Sequence, residues 1–192
     1  MIEDERDESK WHYCIRQHFP AIVSAGHEAL GAVGSLALIR APKARRIALT
    51  DVFSEALVRY IPGAYEVPSG GGDFWVVIPE LAIVRVKSAD TALRVRNLRT
   101  RRHALFLENG ELPGIPATIP RIELCYVMNR AGDDIVRLSL TQRNEDGILV
   151  LLDLPWGDVK GSGTVALELE LPKTIIRPKR SDRADREGTN DS

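Results

Sequence analysis

Between Arg121 and Trp156 the chain reads RIELCYVMNRAGDDIVRLSLTQRNEDGILVLLDLPW, three apolar-rich runs parted by two short clusters of turn-forming residues. Ile122, Leu124, Tyr126 and Met128 alternate with Glu123, Cys125, Val127 and Asn129. A period of two sends each set to one face of a pleated sheet, so one face of this strand is apolar. Arg130-Ala131-Gly132-Asp133 supplies a turn, since Gly132 takes a positive φ at little cost and Asn129 and Asp133 can bond nearby backbone groups. Ile135, Arg137, Ser139 and Thr141 then alternate with Val136, Leu138 and Leu140 as a second strand. Asp146-Gly147 is a hairpin pair, and Ile148 to Leu154 is almost continuously apolar, the pattern of a strand buried on both faces inside a sheet. The expectation is a three-stranded antiparallel meander over residues 121–154.

Upstream, the apolar residues Trp11, Ile15, Phe19, Ile22, Ala29, Leu30, Val33 and Leu36 recur at spacings of mostly three and four, the stripe of an amphipathic helix. Pro20 interrupts that stripe and fits the first turn of a second helix, where its missing N–H is not needed. Gly26, Gly31 and Gly34 weaken this helix by roughly 1 kcal/mol each relative to alanine, which leaves close packing as the compensation. Ala41 to Arg46 reads as a basic connector into a further helix capped by Thr50 and stopped by Pro62-Gly63. Tyr65 to Gly72 reads as a glycine hinge, and Asp73–Ile78 and Leu81–Lys87 as two strands around Pro79-Glu80. Helices first and strands after predict an α+β fold, with N-terminal helices packed on a mainly antiparallel sheet.

The length of 192 residues, with 44% hydrophobic and 28% charged, suits one core. The expected organisation is an acidic disordered lead-in over 1–10, a single domain over 11–172 ending in a strand from Val165 to Leu171, and a disordered charged tail over 173–192. A formal charge of -1 gives no global field toward nucleic acid or an anionic membrane, so any polyanion site must be local. No apolar run approaches the ~20 residues of a membrane span. Cys14 and Cys125 form no CxxC pair and no disulfide framework, so the chain is expected in the cytoplasm.

The one dense basic run lies between Ser88 and His103: Arg94, Arg96, Arg99, Arg101, Arg102 and His103. Five positive charges fall within nine residues, a local site for phosphate or for an acidic surface, although twenty of the 26 basic residues are arginine throughout. A solvated rim countered by Glu108, Glu111 and Glu123 is the competing reading. Other chemistry fails on spacing. Gly70-Gly71-Gly72 lacks the Lys-Ser/Thr of a phosphate loop, His27-Glu28 lacks the second histidine of HExxH at Gly31, and Gly161-Ser162-Gly163 is not GxSxG. No cofactor is expected. A magnesium-dependent nuclease of diverged restriction-enzyme type would use Asp73, Glu80 and Lys87 on the first hairpin, but Arg85 stands where its second carboxylate belongs.

Arg96-Asn97-Leu98-Arg99-Thr100, Glu111 to Pro116, Tyr126-Val127-Met128-Asn129 with Gly132 and Ile135, and Leu149 to Pro155 together form a pattern over about a third of the chain. It resembles a family of uncharacterised prokaryotic proteins, often encoded on mobile elements or in defence systems beside helix-turn-helix regulators or small metallopeptidases. Val150-Leu151-Leu152 stands where that family carries a tryptophan. The resemblance implies a bacterial setting and a partner-binding role. The combined expectation is a non-enzymatic binding or regulatory protein that contacts a partner protein or nucleic acid through the arginine-rich segment, with an exposed sheet edge available for homo-oligomerisation.

Overall fold

The computed structural model describes residues 11–36, 41–68, 74–95, 106, 118–144, 147–157 and 175–176. The chain is helical over 11–17 (α1), then over Phe19–Ser35 (α2) and Pro42–Tyr60 (α3). Seven strands follow: Tyr65–Pro68 (β1), Phe74–Ile78 (β2), Ala82–Ala89 (β3), Arg121–Met128 (β4), Ile135–Asn144 (β5), Gly147–Leu154 (β6) and Ile175–Ile176 (β7). They form one sheet in sequence order, antiparallel at every junction except β3–β4, which is parallel. The fold is α+β, three helices against one face of a mostly antiparallel sheet.

The helices break where proline dictates. The turn at His18 parts α1 from α2, and Pro20 sits in the first turn of α2 as expected. The start of α3 differs from the sequence reading by eight residues: Ala41 to Arg46 is not a connector, because Pro42 opens the helix there. Thr50 is accordingly not a cap. Its hydroxyl donates to the Arg46 carbonyl at 2.9 Å, one turn back within the helix.

One core lies between helices and sheet. Ile15, Phe19, Ile22, Val23, Leu49, Phe53 and Leu57 meet Val76, Ile78, Val84, Val86, Ile122, Leu124, Tyr126, Leu138, Leu140, Leu152 and Leu154. The even-numbered residues of β4 face this core, as the period of two requires. Gly26 provides the closest approach: a Cβ there would stand 2.7 Å from the Trp156 ring and 3.0 Å from Phe53. Trp156 stacks on His27 at 4.2 Å between centroids, which fastens the end of β6 to α2. Gly31 and Gly34 face open space, so close packing explains only the first of the three glycines.

The other face of the sheet is buried as well and sets charged and hydroxyl groups beside two small apolar clusters. Arg85, Arg121, Glu123, Ser139 and Thr141 are buried there beside Cys125. Glu123 pairs with Arg143, Arg137 bonds Asp153 through two nitrogens at 3.0 and 2.8 Å, and Ser139 donates to the same carboxylate. Phe106, from the crossover between β3 and β4, packs on Trp75 at 5.3 Å and under the Arg85 guanidinium at 5.5 Å. The competing reading of the arginine run made Glu123 a counter-charge for a solvated rim. It is instead 1% exposed, paired with Arg143 of the neighbouring strand.

Strand β6 is less enclosed than its composition suggests. Ile148, Val150, Leu152 and Leu154 are buried, while Leu149 and Leu151 are half-buried, with an irregularity opposite Leu140/Thr141 that switches the buried set from one face to the other. Tyr65–Pro68, read as part of a hinge, is a strand paired with β2, and Ile175 and Ile176, read as tail, pair with β6. The expected strand at 165–171, the triple glycine and the acidic lead-in lie outside the described residues.

Candidate functional site

A cleft of about 890 Å³ opens at the carboxyl ends of the parallel pair β3–β4. This is the part of a sheet with parallel strands where ligands commonly bind, because the connections diverge there. Helix α3 forms one wall. Lys43, Arg46, Ile47, Thr50 and Asp51 are spaced i, i+3, i+4, i+7 and i+8, so one helical stripe presents all five. Lys87, Ser88 and Ala89 contribute the end of β3, Val127 and Met128 the end of β4, and Asp90, Thr91, Arg94 and Val95 the loop that leaves β3.

That loop is held by one carboxylate. Asp90 Oδ1 accepts from the Ala92 and Arg94 amides at 3.0 and 2.9 Å, while Oδ2 accepts from Arg94 Nε at 2.8 Å. Burial raises the Asp90 carboxyl, but the hydrogen bonds from Arg94 and Ala92 outweigh it and hold the group below the usual carboxylate range. Leu93 takes a φ of +57°, a conformation that costs a non-glycine residue roughly 1 kcal/mol. Its complete burial against Cys125, Val127 and Val150 compensates, and Arg143 donates to its carbonyl at 3.2 Å. The loop is thereby tied to the polar face of the sheet.

Behind the wall, Tyr126 joins α3 to β4. Its hydroxyl donates to the Arg46 carbonyl at 2.7 Å and lies 2.9 Å from Thr50 Oγ1. Burial, with a smaller contribution from Asp51, pushes the phenol up to about 12 against the opposing influence of Thr50, Ser88 and Arg46. The group therefore stays neutral and acts as a fixed strut. The cleft so built carries four cationic side chains, Lys43, Arg46, Lys87 and Arg94, against two carboxylates, Asp51 and Asp90.

Of the residues singled out from sequence, Arg94 and Lys87 line this cleft. Arg96, Arg99, Arg101, Arg102, His103 and Asp73 lie outside the described residues. Glu80 sits in the β2–β3 turn, at the opposite end of β3 from Lys87 and roughly 20 Å away at ~3.3 Å per residue. These two are not brought together. Among the described residues no three histidine, cysteine or acidic side chains gather as metal ligands. Lys43 and Arg46 escaped the sequence reading because the segment was taken for a connector; proline at position 42 followed by residues at helical spacing was the available signal.

Fold and cleft define an α+β protein with a cationic crevice at the carboxyl ends of the one parallel strand pair among the described residues. In comparison with known proteins, the chain matches no family model, no curated protein and no solved structure. Among the described residues no helix is long and apolar enough to cross a membrane.

Proposed function

We propose that this chain is a non-enzymatic binding and regulatory protein that grips a polyanion, nucleic acid, through the cleft and through the arginine-rich segment that begins at Arg94. The observation that supports this reading is the convergence of Lys43, Arg46, Lys87 and Arg94, from a helix, a strand and a loop, on one crevice. The chain has no net excess of positive charge, so this local concentration stands out against its surroundings. Arg94 is also the first of the five arginines within nine residues, so the basic run follows directly in sequence from a residue that lines the crevice. Both cysteines are free, in keeping with the reducing cytoplasm where we place the protein.

Fluorescence anisotropy with a labelled oligonucleotide over a salt series tests the proposal. The expected result is affinity that falls steeply with salt, with a log–log slope reduced by about 1 for each of Lys43→Gln, Arg46→Gln and Arg94→Gln. Joint neutralisation of Arg96, Arg99, Arg101 and Arg102 lowers it further. Binding that ignores both salt and these substitutions, or no binding at low salt, overturns the reading.

A further inference from the structure

We propose that the cleft accepts a single nucleotide unit, with its phosphate on the first turns of α3 and its base against the apolar side chains of the lining; this rests on the polyanion reading above and specifies its ligand.

Three observations converge. The first is the start of α3. A helix of 19 residues concentrates positive potential at its amino end, where acidic side chains are favoured, yet its first turn contains no acid and instead Lys43, Arg45 and Arg46 follow Pro42 in close succession. Among the described residues no side chain caps that end. Cations placed on a positive dipole end each cost a few tenths of a kcal/mol, and a bound phosphate reverses the sign of that contribution.

The second is the other half of the lining. Ile47, Ala89, Val95, Val127 and Met128 add apolar groups to the lining, and Ile47, on the same helical stripe as Lys43 and Arg46, is 56% exposed, high for a large aliphatic side chain beside a cavity. A simple phosphate or sulfated-sugar site has no use for such groups. A ligand with a flat apolar part joined to an anionic part uses both kinds of lining group, and a nucleotide is that ligand. The third is size: about 890 Å³ falls within the range of sites that enclose small organic ligands, and exceeds what a lone phosphate fills. Ser88 and Thr91 also line the crevice, and their hydroxyls suit a sugar.

A free nucleotide and one residue of an unpaired strand share this chemistry, and a duplex does not offer it, because its bases are stacked and paired. The test uses the full chain with four probes: a labelled single-stranded decanucleotide, the corresponding duplex, heparin, and unlabelled ATP and AMP as competitors. The expected result is single-strand binding at least about tenfold tighter than duplex binding at the same salt. Ile47→Asn and Val95→Asn, which change no charge, lower single-strand affinity about five- to tenfold and leave heparin binding unaltered, whereas Lys43→Gln and Arg46→Gln weaken every probe. Circular dichroism melts confirm that the exposed Ile47→Asn variant is folded. Competition by ATP or AMP at millimolar concentration assigns the site to free nucleotides; strand binding that resists both assigns it to a nucleotide within an unpaired strand. Equal binding of duplex, single strand and heparin, unaffected by Ile47→Asn, overturns the nucleotide site while the polyanion reading stands. Failure of all four probes overturns both.

Discussion

Gly26 and Gly31 are five residues apart on one helix and do different work. Both lower the helical propensity of α2 by roughly 1 kcal/mol relative to alanine. At Gly26 a methyl group would meet the Trp156 ring at 2.7 Å, a ring already held between His27 and the helix, so Gly26→Ala drives overpacking that exceeds the propensity gain. At Gly31 the methyl group meets nothing within 4 Å. Urea denaturation should therefore show Gly26→Ala destabilised by about 1–2 kcal/mol and Gly31→Ala stabilised by about 0.5–1 kcal/mol. Equal shifts in the same direction would show that Trp156 does not sit on Gly26. Sequence alone marked all three glycines of α2 as packing sites, because the local pattern does not say which part of the helix a distant tryptophan will reach.

At the scale of elements, the turn between β2 and β3 carries a strain of its own. The Leu81 amide donates to the Ile78 carbonyl at 3.1 Å, Pro79 supplies its fixed φ, and Glu80 holds a φ of +59° at the position that such a turn normally gives to glycine. Replacing Glu80 with glycine should raise stability by about 0.5–1 kcal/mol, read as a higher melting temperature, with the entropy of the unfolded chain offsetting part of the relief. A lower melting temperature would mean that the carboxylate makes a stabilising contact. Strands β4 and β5 were legible from their period of two, β6 from its continuous apolar run, and β2 and β3 from the turn residues Pro79-Glu80 between them. The amino-terminal half of α3 was not, since Pro42 to Ala48 contains mostly charged and small residues and its buried positions begin only at Leu49. That half-helix is held by Tyr126 on its flank and by the cleft, neither of which leaves a local periodic trace. The cationic wall was missed for the same reason.

Across the whole molecule, the sheet divides the chemistry: one face packs the helices and the main apolar core, while the other carries the buried charged and hydroxyl groups beside two smaller apolar clusters. Alternation identified the apolar face of β4 correctly, but burial of the charged groups on its other face depends on partners distant in sequence, such as Arg143 for Glu123. Two acids of very different kind are locked into the sheet. Burial pushes the Cys125 thiol up to about 12, with Glu123 adding to it against Thr141 and Arg143, and the Tyr126 phenol stands equally high. Both folded values lie above the ordinary ones near 9 and 10, so the folded state holds protons that the unfolded chain releases first. Their contribution is complete below pH 9 and is lost as pH rises toward 12. Denaturant midpoints should fall progressively across that window, and Cys125→Val should flatten the onset near pH 9. An alkaline limb identical in the variant would show that the thiol is not buried. In the native state Cys125 should resist thiol reagents at neutral pH and label only as fast as the protein unfolds.

The lone parallel junction has a mechanical meaning. Strands β1 to β3 and β4 to β7 can each zip up through neighbours in the chain, but the two plates meet only after the long crossover has swung round to bring Arg121 beside Ile83. Since the crevice is bounded by the tips of both plates, it comes into existence at the moment they join. Whatever occupies it acts as a clasp on that joint, so an occupant will slow the parting of the plates more than the fraying of either one, and amide exchange along β3 and β4 is where that clasp would be felt.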